Sequence, residues 1–311
     1  MSAPTIPLRI ATRSSALALW QARHVAALLA AAAPECDIQL VPVSTVGDRD
    51  QTGALRELGG LGVFTREVQV AVLDRRADLA VHSLKDLPTE SAPGLCLAAV
   101  PPREETADAL LLPAGGEFRG DVIGLPNQAR IGTGSLRRRA QLLHARPDLQ
   151  FEEARGNVET RLRKLDEGQF DALILAVAGL RRLGLDGRIA HTLAPPLMFP
   201  AVGQGALGIE CRADDAPVRE WLQRIDDPRA RSAVTSERAL LASLHAGCHA
   251  PVGAVTAIAG TELTLEGVVL SPDGQTRLTA SAAGPASDAA ALGAAVARLL
   301  LEQGAARLIG P

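Results

Sequence analysis

The chain has 311 residues, of which 47% are hydrophobic and 22% charged, and its formal net charge is −3 at pH 7. This length predicts two or three domains, and the composition is that of a globular protein rather than a disordered or fibrous one. With no basic surplus and only 2% aromatic residues, the chain gives no reason to expect nucleic-acid binding. It has no signal-peptide pattern and no apolar run long enough to cross a membrane, so we expect a cytoplasmic protein.

The cysteines lie far apart, at positions 36, 96, 211 and 248. They contain no C-x-x-C pair, so neither a zinc site nor a disulfide framework is indicated. Any cysteine with a chemical role must therefore act alone.

Two repeated patterns in the sequence indicate a pair of lobes with a similar order of helices and strands. A strand, a helix N-cap, a helix and a proline follow one another in the segment 8–34, and the same order returns at 130–147. The second repeated pattern links residues 71–81 with residues 163–175, because each segment is typical of a helix end followed by a turn and a buried strand. The helices that begin these lobes are expected over residues 16–33 and 136–145.

Proline pairs mark where the chain is expected to cross between the lobes. Pro101 and Pro102 form the first crossing, and the proline-rich stretch 195–200 forms the second. The predicted organisation is a discontinuous first lobe of residues 1–101 and 201–226, a second lobe of residues 102–200, and a C-terminal domain of residues 227–311. Two lobes with two crossings predict a hinged cleft lined by helix N-termini, which suits an anionic ligand.

The C-terminal domain is predicted to be a small α+β unit. A helix over 232–245 precedes strands at 254–258, 262–270 and 276–282, a hairpin turn at 271–274, and a closing helix over 287–301.

Cys248 follows the first of these helices, with Gly247 as the expected C-cap. A helix C-terminus carries negative partial charge and does not activate a thiol, so Cys248 is either a small buried residue or an attachment point. His245 and His249 flank it as local bases.

Arginines are concentrated in the second lobe. Between positions 130 and 163 there are eight arginines against four carboxylates, although the whole chain is acidic. Arg137, Arg138 and Arg139 follow Ser135 at a predicted helix N-terminus, where cations are unfavourable unless an anion binds there. The cluster predicts carboxylate or phosphate recognition. The alternative is a solvated basic face, or ion pairs with neighbouring glutamates at 152–153.

Polar residues at 82–86 lie at the C-terminal end of a buried strand in the first lobe, the end that lines the ligand crevice in α/β folds. The Asp86 carboxylate is placed to stabilise positive charge, with a turn or capping role as the alternative. The glycine-rich run 59–64 is either a mobile lid or an ordinary surface loop, and it matches neither a dinucleotide fingerprint nor a P-loop.

Taken in order, a set of segments closely resembles the porphobilinogen deaminase family, also called the hydroxymethylbilane synthases. The segments are 10–15, 17–21, 78–88, 132–138, 155–157, 175–180, 200–206 and 247–253. Any one of them alone is a weak signal, but the ordered set is specific and covers nearly the whole chain.

The resemblance implies a transferase of tetrapyrrole synthesis that joins four porphobilinogen molecules, with release of ammonia, into linear hydroxymethylbilane. It implies an α/β fold with two lobes like those of type II periplasmic binding proteins, plus a small α+β C-terminal domain. The implied cofactor is a dipyrromethane linked through a thioether to Cys248. A monomer is expected, with porphobilinogen as its small-molecule partner, no nucleic acid, no membrane and no metal.

The resemblance also assigns roles to individual residues. Asp86 matches the catalytic carboxylate, which hydrogen-bonds pyrrole N–H groups and stabilises the cation left after deamination. The positions that match residues binding cofactor or substrate are Arg13, Ser15, Ser83, Lys85, Thr133, Ser135, Arg137, Arg138, Arg155, Gly156, Arg161, Arg182 and Gln204.

The chain departs from the family pattern in three places. Glu57 and Leu61 stand where lysines are usual, with Arg56 as a nearby substitute for the charge, and Gly134 stands where a serine is common. Two other classes of function compete with this one: a two-lobe binding protein for a small anion, and a Cys-His hydrolase built on the histidines beside Cys248. The hydrolase lacks a helix N-terminus at its cysteine and an evident oxyanion site.

Overall fold

The structure, a computed structural model, describes residues 6–44, 65–115, 121–247 and 250–309. The chain divides into two compact units, and each is described by itself below. Unit one is Met1–Arg103 with Ala206–Arg231, and unit two is Glu104–Gly205 with Ser232–Pro311. Some sequence predictions lie outside the described residues, namely those for the glycine-rich run with Arg56, Glu57 and Leu61, and for Cys248 and His249.

Unit one is built on a five-stranded mixed sheet. Its strands are β1 (Ile6–Arg13), β2 (Cys36–Val43), β3 (Leu79–Ser83), β4 (Leu95–Ala99) and, from later in the chain, β10 (Leu207–Arg212). The order is β2-β1-β3-β10-β4, with β2, β1 and β3 parallel and β10 antiparallel to both of its neighbours. Its helices include α1 (Ala16–Ala32), α2 (Arg66–Leu73) and α6 (Ala216–Gln223).

Apolar packing between α1 and the sheet forms the main core of unit one. Leu8 and Ile10 of β1 are buried together with Val25 and Leu29 of α1. Every residue of β10 is buried, including Glu210 and Arg212, so this strand is covered on both faces.

Unit two contains a second five-stranded sheet with the same plan. Its strands are β5 (Asp108–Leu111), β6 (Arg130–Gly132), β7 (Gln150–Glu152), β8 (Ala172–Ala176) and β9 (His191–Leu193). The order is β7-β6-β8-β5-β9, with β7, β6 and β8 parallel and β5 antiparallel to β8 and β9. The helices with this sheet are α3 (Leu136–Ala145), α4 (Val158–Asp166) and α5 (Val177–Arg182).

The C-terminal part contributes a three-stranded antiparallel sheet with helices. The order is β11 (Val252–Ala259), β12 (Glu262–Leu270) and β13 (Arg277–Pro285), and the helices are α7 (Pro228–Ser243), α8 (Ala289–Glu302) and α9 (Ala306–Ile309). The predicted class, α/β with two similar lobes and a small α+β C-terminal part, is confirmed. The exact limits of the three domains stay a prediction. Within the described ranges, no helix combines the length and hydropathy required to span a bilayer.

Helix α7 differs from its prediction at both ends. It begins at Pro228 rather than Ser232, because proline suits the first helical position and Asp227 Oδ1 accepts the Ala230 N–H at 2.7 Å. At the other end the left-handed residue is His245, with φ of 52°, and not Gly247. The His245 N–H bonds to the Ala242 carbonyl at 2.9 Å, and the next N–H bonds back to Leu241 at 3.2 Å, as in a Schellman motif.

Candidate functional site

One edge of the unit-one sheet collects several predicted binding residues. Strands β1 and β3 are parallel neighbours that end at Arg13 and Ser83, so the residues that follow them lie along the same edge. Ser15 caps α1 there, its hydroxyl accepting the Ala18 N–H at 3.4 Å. Gln21 of α1 donates its amide to Ser83 Oγ at 2.8 Å. The helix and both strand ends are thereby joined at the predicted site.

Asp86 lies on a short, well-anchored turn. The 3-10 turn Leu84–Asp86 follows β3 directly, and Leu84 and Leu87 are buried on either side of the carboxylate. The N–H that closes the turn, that of Leu87, bonds to the Leu84 carbonyl at 3.1 Å rather than to the Asp86 side chain. Asp86 is exposed and Lys85 is half-buried. The turn therefore presents a carboxylate from a fixed backbone.

A buried polar cluster supports β3 just before this turn. His82 Nε2 lies 3.1 Å from Glu210 Oε2 on β10, and the Gln69 amide of α2 donates to the same oxygen at 2.8 Å. Sequence reasoning did not single out Glu210. The available signal was a carboxylate between the apolar residues Ile209 and Cys211, since a buried charge requires a partner.

The corresponding edge of the unit-two sheet carries the larger group of predicted residues. Thr133 and Ser135 follow β6, Arg155 and Gly156 follow β7, and Arg182 lies on α5 after β8. The three strands are parallel neighbours, so these residues share the carboxyl edge of the sheet. Ser135 caps α3 as predicted, its Oγ accepting the N–H of Arg138.

Arg137 and Arg138 are buried and share one carboxylate. Asp108 on β5 has no exposed surface, and its Oδ1 accepts from Arg138 Nε at 3.0 Å and Nη2 at 2.7 Å. Its Oδ2 lies 2.8 Å from Arg137 Nη2. Arg138 also donates to the Ile174 carbonyl at 3.0 Å, and Arg137 donates to the Phe199 carbonyl. Burial lowers the pKa of Arg137, and the neighbouring Arg138 charge acts in the same direction.

Arg182 and Gln204 are also buried in unit two. Arg182 Nη2 donates to the Gly205 carbonyl at 2.6 Å, and burial lowers the pKa of its guanidinium. The Gln204 amide donates to the Thr106 carbonyl at 2.7 Å and to Asp108 Oδ1 at 3.0 Å. Gln204 therefore contacts the carboxylate that holds the arginine pair.

The loop after β7 orients two further arginines. Arg155 forms an ion pair with Glu153 at 2.7 Å, the arrangement that the sequence left open as an alternative for this residue. Arg161 Nε donates to the Gly156 carbonyl at 2.8 Å. Gly156 has φ of 100°, and a side chain there would meet Thr160 Cγ2 at 2.7 Å, so the turn requires glycine.

The other arginines of the sequence cluster have different environments. Arg130 pairs with Asp171 at 2.9 Å at the start of β6, and Arg146 pairs with Asp148 at 2.7 Å after α3. Arg139 is exposed. The arginine surplus is thus divided between structural ion pairs and a buried group at the carboxyl edge.

The buried group leaves an excess of formal positive charge. Among the described residues of 104–205, the buried charged side chains are three arginines, Arg137, Arg138 and Arg182, and one carboxylate, Asp108. The charge of Glu104 acts on Arg182, but Arg137 and Arg138 share one carboxylate, so this buried pair is suited to a further anion. Where the structure describes them, His, Cys, Asp and Glu side chains form no group of three or more that could hold a metal ion.

Solved structures show partial likeness to the chain. The VFT2 domain of BvgS from Bordetella pertussis is 14% identical, with a TM-score of 0.42 over 71% of this chain and 86% of that one. The alkanesulfonate-binding protein SsuA from Xanthomonas axonopodis pv. citri is 18% identical, with a TM-score of 0.40 over 77% of this chain and 75% of that one.

Two proteins related in sequence have a much higher identity to this chain than these solved structures have. A protein of Syntrophotalea carbinolica named porphobilinogen deaminase is 46% identical over 97% of this chain and 95% of its own length. A protein of Chromobacterium violaceum with the same name is 48% identical over 96% of each chain.

Two family models match in succession. The model described as porphobilinogen deaminase, dipyromethane cofactor binding domain, covers residues 8–220, and the one described as porphobilinogen deaminase, C-terminal domain, covers residues 232–302. The chain therefore belongs to the porphobilinogen deaminase family, transferases of tetrapyrrole synthesis that carry a dipyrromethane cofactor.

Proposed function

We propose that Cys248 holds the dipyrromethane through a thioether and that the arginines of unit two bind its carboxylates and those of the growing chain. The observation that carries this proposal is the buried pair of Arg137 and Arg138, two positive charges that share the single carboxylate of Asp108. The other proposed ligand-binding residues, on the carboxyl edges of the two sheets, are Arg13, Ser15, Ser83, Lys85, Thr133, Ser135, Arg155, Gly156 and Arg161.

The donor set suits this cofactor. Each pyrrole unit bears an acetate and a propionate, so two linked units present several carboxylates at once. Guanidinium groups bind carboxylates in bidentate fashion, and each charge-assisted hydrogen bond contributes about 1.5–3 kcal/mol. When bound, the dipyrromethane supplies the primer to which porphobilinogen units are added with loss of ammonia.

Cys248 serves as an anchor in this proposal and not as a nucleophile in each turnover. In the sequence it comes five residues after Ser243, the last residue of α7. A permanent thioether needs the thiolate only once, during assembly, so this role does not require an activated thiol.

Asp86 is the proposed catalytic residue. Its exposed carboxylate stands on a turn held by Leu84 and Leu87, so it can accept pyrrole N–H hydrogen bonds without a change of backbone. A fixed negative charge at that point stabilises the positive charge that develops on the substrate ring as ammonia leaves. Lys85, half-buried beside it, is proposed to bind a substrate carboxylate.

The finer features of the function are also proposals. We infer a cytoplasmic monomer whose partner is porphobilinogen, with no nucleic acid and no membrane. The net charge of −3 and the low aromatic content support the absence of a nucleic-acid partner.

Intact mass spectrometry of the purified protein tests the proposal directly. The mass should exceed that of the chain by two pyrrole units, and the adduct should vanish in Cys248→Ala. Cys96→Ala is the matched control, because this partly exposed thiol should leave the adduct unchanged. An unmodified mass in a preparation that releases ammonia from porphobilinogen would refute the proposal, and a binding protein would release none.

A further inference from the structure

Asp108 is a fully buried carboxylate that lies outside the motifs carrying the family resemblance. It occupies the first position of β5, and its two oxygens contact the guanidinium groups of both Arg137 and Arg138. Two guanidinium groups this close repel each other in a low-dielectric interior unless a negative charge lies between them. Asp108 provides that charge, and its rigid strand fixes where the two cations stand.

Gln204 in turn fixes Asp108. The side chain of Gln204 has no exposed surface, and its two amide N–H groups serve the Thr106 carbonyl and Asp108 Oδ1. An amide group has only two N–H donors, so both are occupied within the protein. The amide donors of Gln204 therefore act on the Thr106 carbonyl and on Asp108.

The backbone next to Gln204 is held from the C-terminal part of unit two. Glu237 on α7 is 1% exposed, and its Oε2 accepts the Gly203 N–H at 2.8 Å. Thr256 of β11 donates to the other oxygen of Glu237 at 3.1 Å. Hydrogen bonds, together with the peptide bond between Gly203 and Gln204, therefore connect α7, the helix that precedes Cys248, with the arginine pair.

We propose that Asp108 and Gln204 are positioning residues that hold Arg137 and Arg138 in the geometry needed to bind pyrrole carboxylates. The proposal rests on the proposed function, in which these two arginines bind ligand. Arginine has five N–H donors. Arg138 uses three of them on Asp108 and the Ile174 carbonyl, and Arg137 uses three on Asp108, the Phe199 carbonyl and Met198 Sδ, so donors remain at each guanidinium for an incoming anion. Because the protein fixes both groups beforehand, the ligand does not bear the entropy loss of ordering two long side chains.

Asp108→Asn tests the proposal, because it keeps the size of the side chain and removes its charge. We expect the KM for porphobilinogen to rise about 10- to 100-fold, the effect of losing one charge-assisted hydrogen bond, while kcat changes much less. Intact mass spectrometry should also show a smaller fraction of chains with the two-pyrrole adduct.

Asp171→Asn is the matched control. It breaks the Arg130–Asp171 ion pair in the same sheet but at the opposite end of β6, so the KM and the adduct fraction should stay at wild-type values. Melting temperatures of all variants separate a general loss of stability from a loss of binding.

Gln204→Met provides a second variant, which keeps Asp108 and its charge and decides the matter if Asp108→Asn does not fold. We expect the KM to rise about tenfold, the lower end of the effect of losing one hydrogen bond to a charged carboxylate. If the variants lower the melting temperature but retain the wild-type KM and adduct fraction, Asp108 and Gln204 are only structural and the proposal is wrong. A wild-type chain without any adduct would instead refute the proposed function, so the two failures are distinguishable.

Discussion

At the scale of single residues, the placement of Asp86 makes the clearest prediction about catalysis. Asp86→Asn should retain the two-pyrrole adduct, because the variant keeps Cys248 and the buried arginines. Turnover of porphobilinogen should fall about 10²- to 10³-fold, the usual cost of removing one preorganised electrostatic group. Product formation measured at saturating porphobilinogen, with intact mass on the same sample, checks both expectations.

Glu90→Gln is the control for this prediction. Glu90 is another exposed carboxylate, four residues farther along the chain, and its neutralisation should leave turnover unchanged. Near-normal turnover in Asp86→Asn would remove Asp86 from the mechanism, and loss of the adduct would show that its role lies in cofactor assembly.

Contacts between residues far apart in the chain could not be predicted from the sequence, whereas local contacts could. Ser135 is the N-cap expected from the sequence, and Ser15 caps the first helix where the sequence allowed Ser14 or Ser15, because a cap depends on a hydrogen bond only three positions away. The partner of Arg138 is Asp108, 30 positions earlier, and the partner of His82 is Glu210 on a strand from a distant part of the chain. Such pairs depend on which strands become neighbours, and local signals do not contain that information.

At the scale of elements, the contact between α7 and α8 depends on Gly293. A Cβ atom at this position would overlap the Ser236 carbonyl oxygen and lie 2.7 Å from Ala239 Cβ. Gly293→Ala should therefore destabilise the protein by about 1–3 kcal/mol, even though alanine favours helix by about 1 kcal/mol, because backbone atoms must move. Thermal unfolding should show a lower midpoint.

Gly187→Ala is the control for Gly293, since a Cβ there meets nothing within 4 Å. Its midpoint should match or slightly exceed that of the wild type, because alanine restricts the unfolded chain. If Gly293→Ala unfolds at the same temperature as Gly187→Ala, the close helix contact is not as described.

Element bounds were predictable wherever local chemistry sets them. Helix α3 and strand β12 have their predicted bounds, since a serine cap and a following proline frame the helix and turn residues frame the strand. The predicted start of α7 at Ser232 is four residues late because Pro228 lies beside the predicted domain boundary at 226–227, although proline is well suited to the first turn of a helix. The left-handed His245 was missed because glycine is the usual residue at that position.

At the scale of the whole molecule, both units use the same arrangement for their proposed ligand-binding residues. In each sheet three parallel strands stand beside one antiparallel strand, and the proposed residues follow the parallel strands at their carboxyl edge. The repeats at 8–34 and 130–147 predicted this common plan. The division of roles between the units came from the charges, with Asp86 in unit one and the buried arginines in unit two.

Ion pairs within unit one make stability depend on pH. Asp78 accepts hydrogen bonds from the side chain and backbone N–H of Arg9, and Arg212 Nη2 lies 3.5 Å away. Burial alone would raise the pKa of Asp78, but the bonds and charge of Arg9 and the bond from Arg212 outweigh it, so the pKa lies below its ordinary value. A lowered folded-state pKa contributes stability above the unfolded value of about 3.9, and this is lost as the pH falls through the folded value.

The wild-type melting temperature should therefore fall steeply below about pH 4, and Asp78→Asn should remove part of that dependence. At pH 7 the variant should lose about 2 kcal/mol, or roughly 4–8 °C in its midpoint, because Arg9 loses its counter-charge while Arg212 keeps its ion pair with Asp215. Its midpoint should then change less than that of the wild type between pH 5 and pH 3. Asp74→Asn, at an exposed position four residues earlier, should follow the wild-type curve throughout. Parallel curves for Asp78→Asn and the wild type would show that Asp78 titrates alike in the folded and unfolded chain.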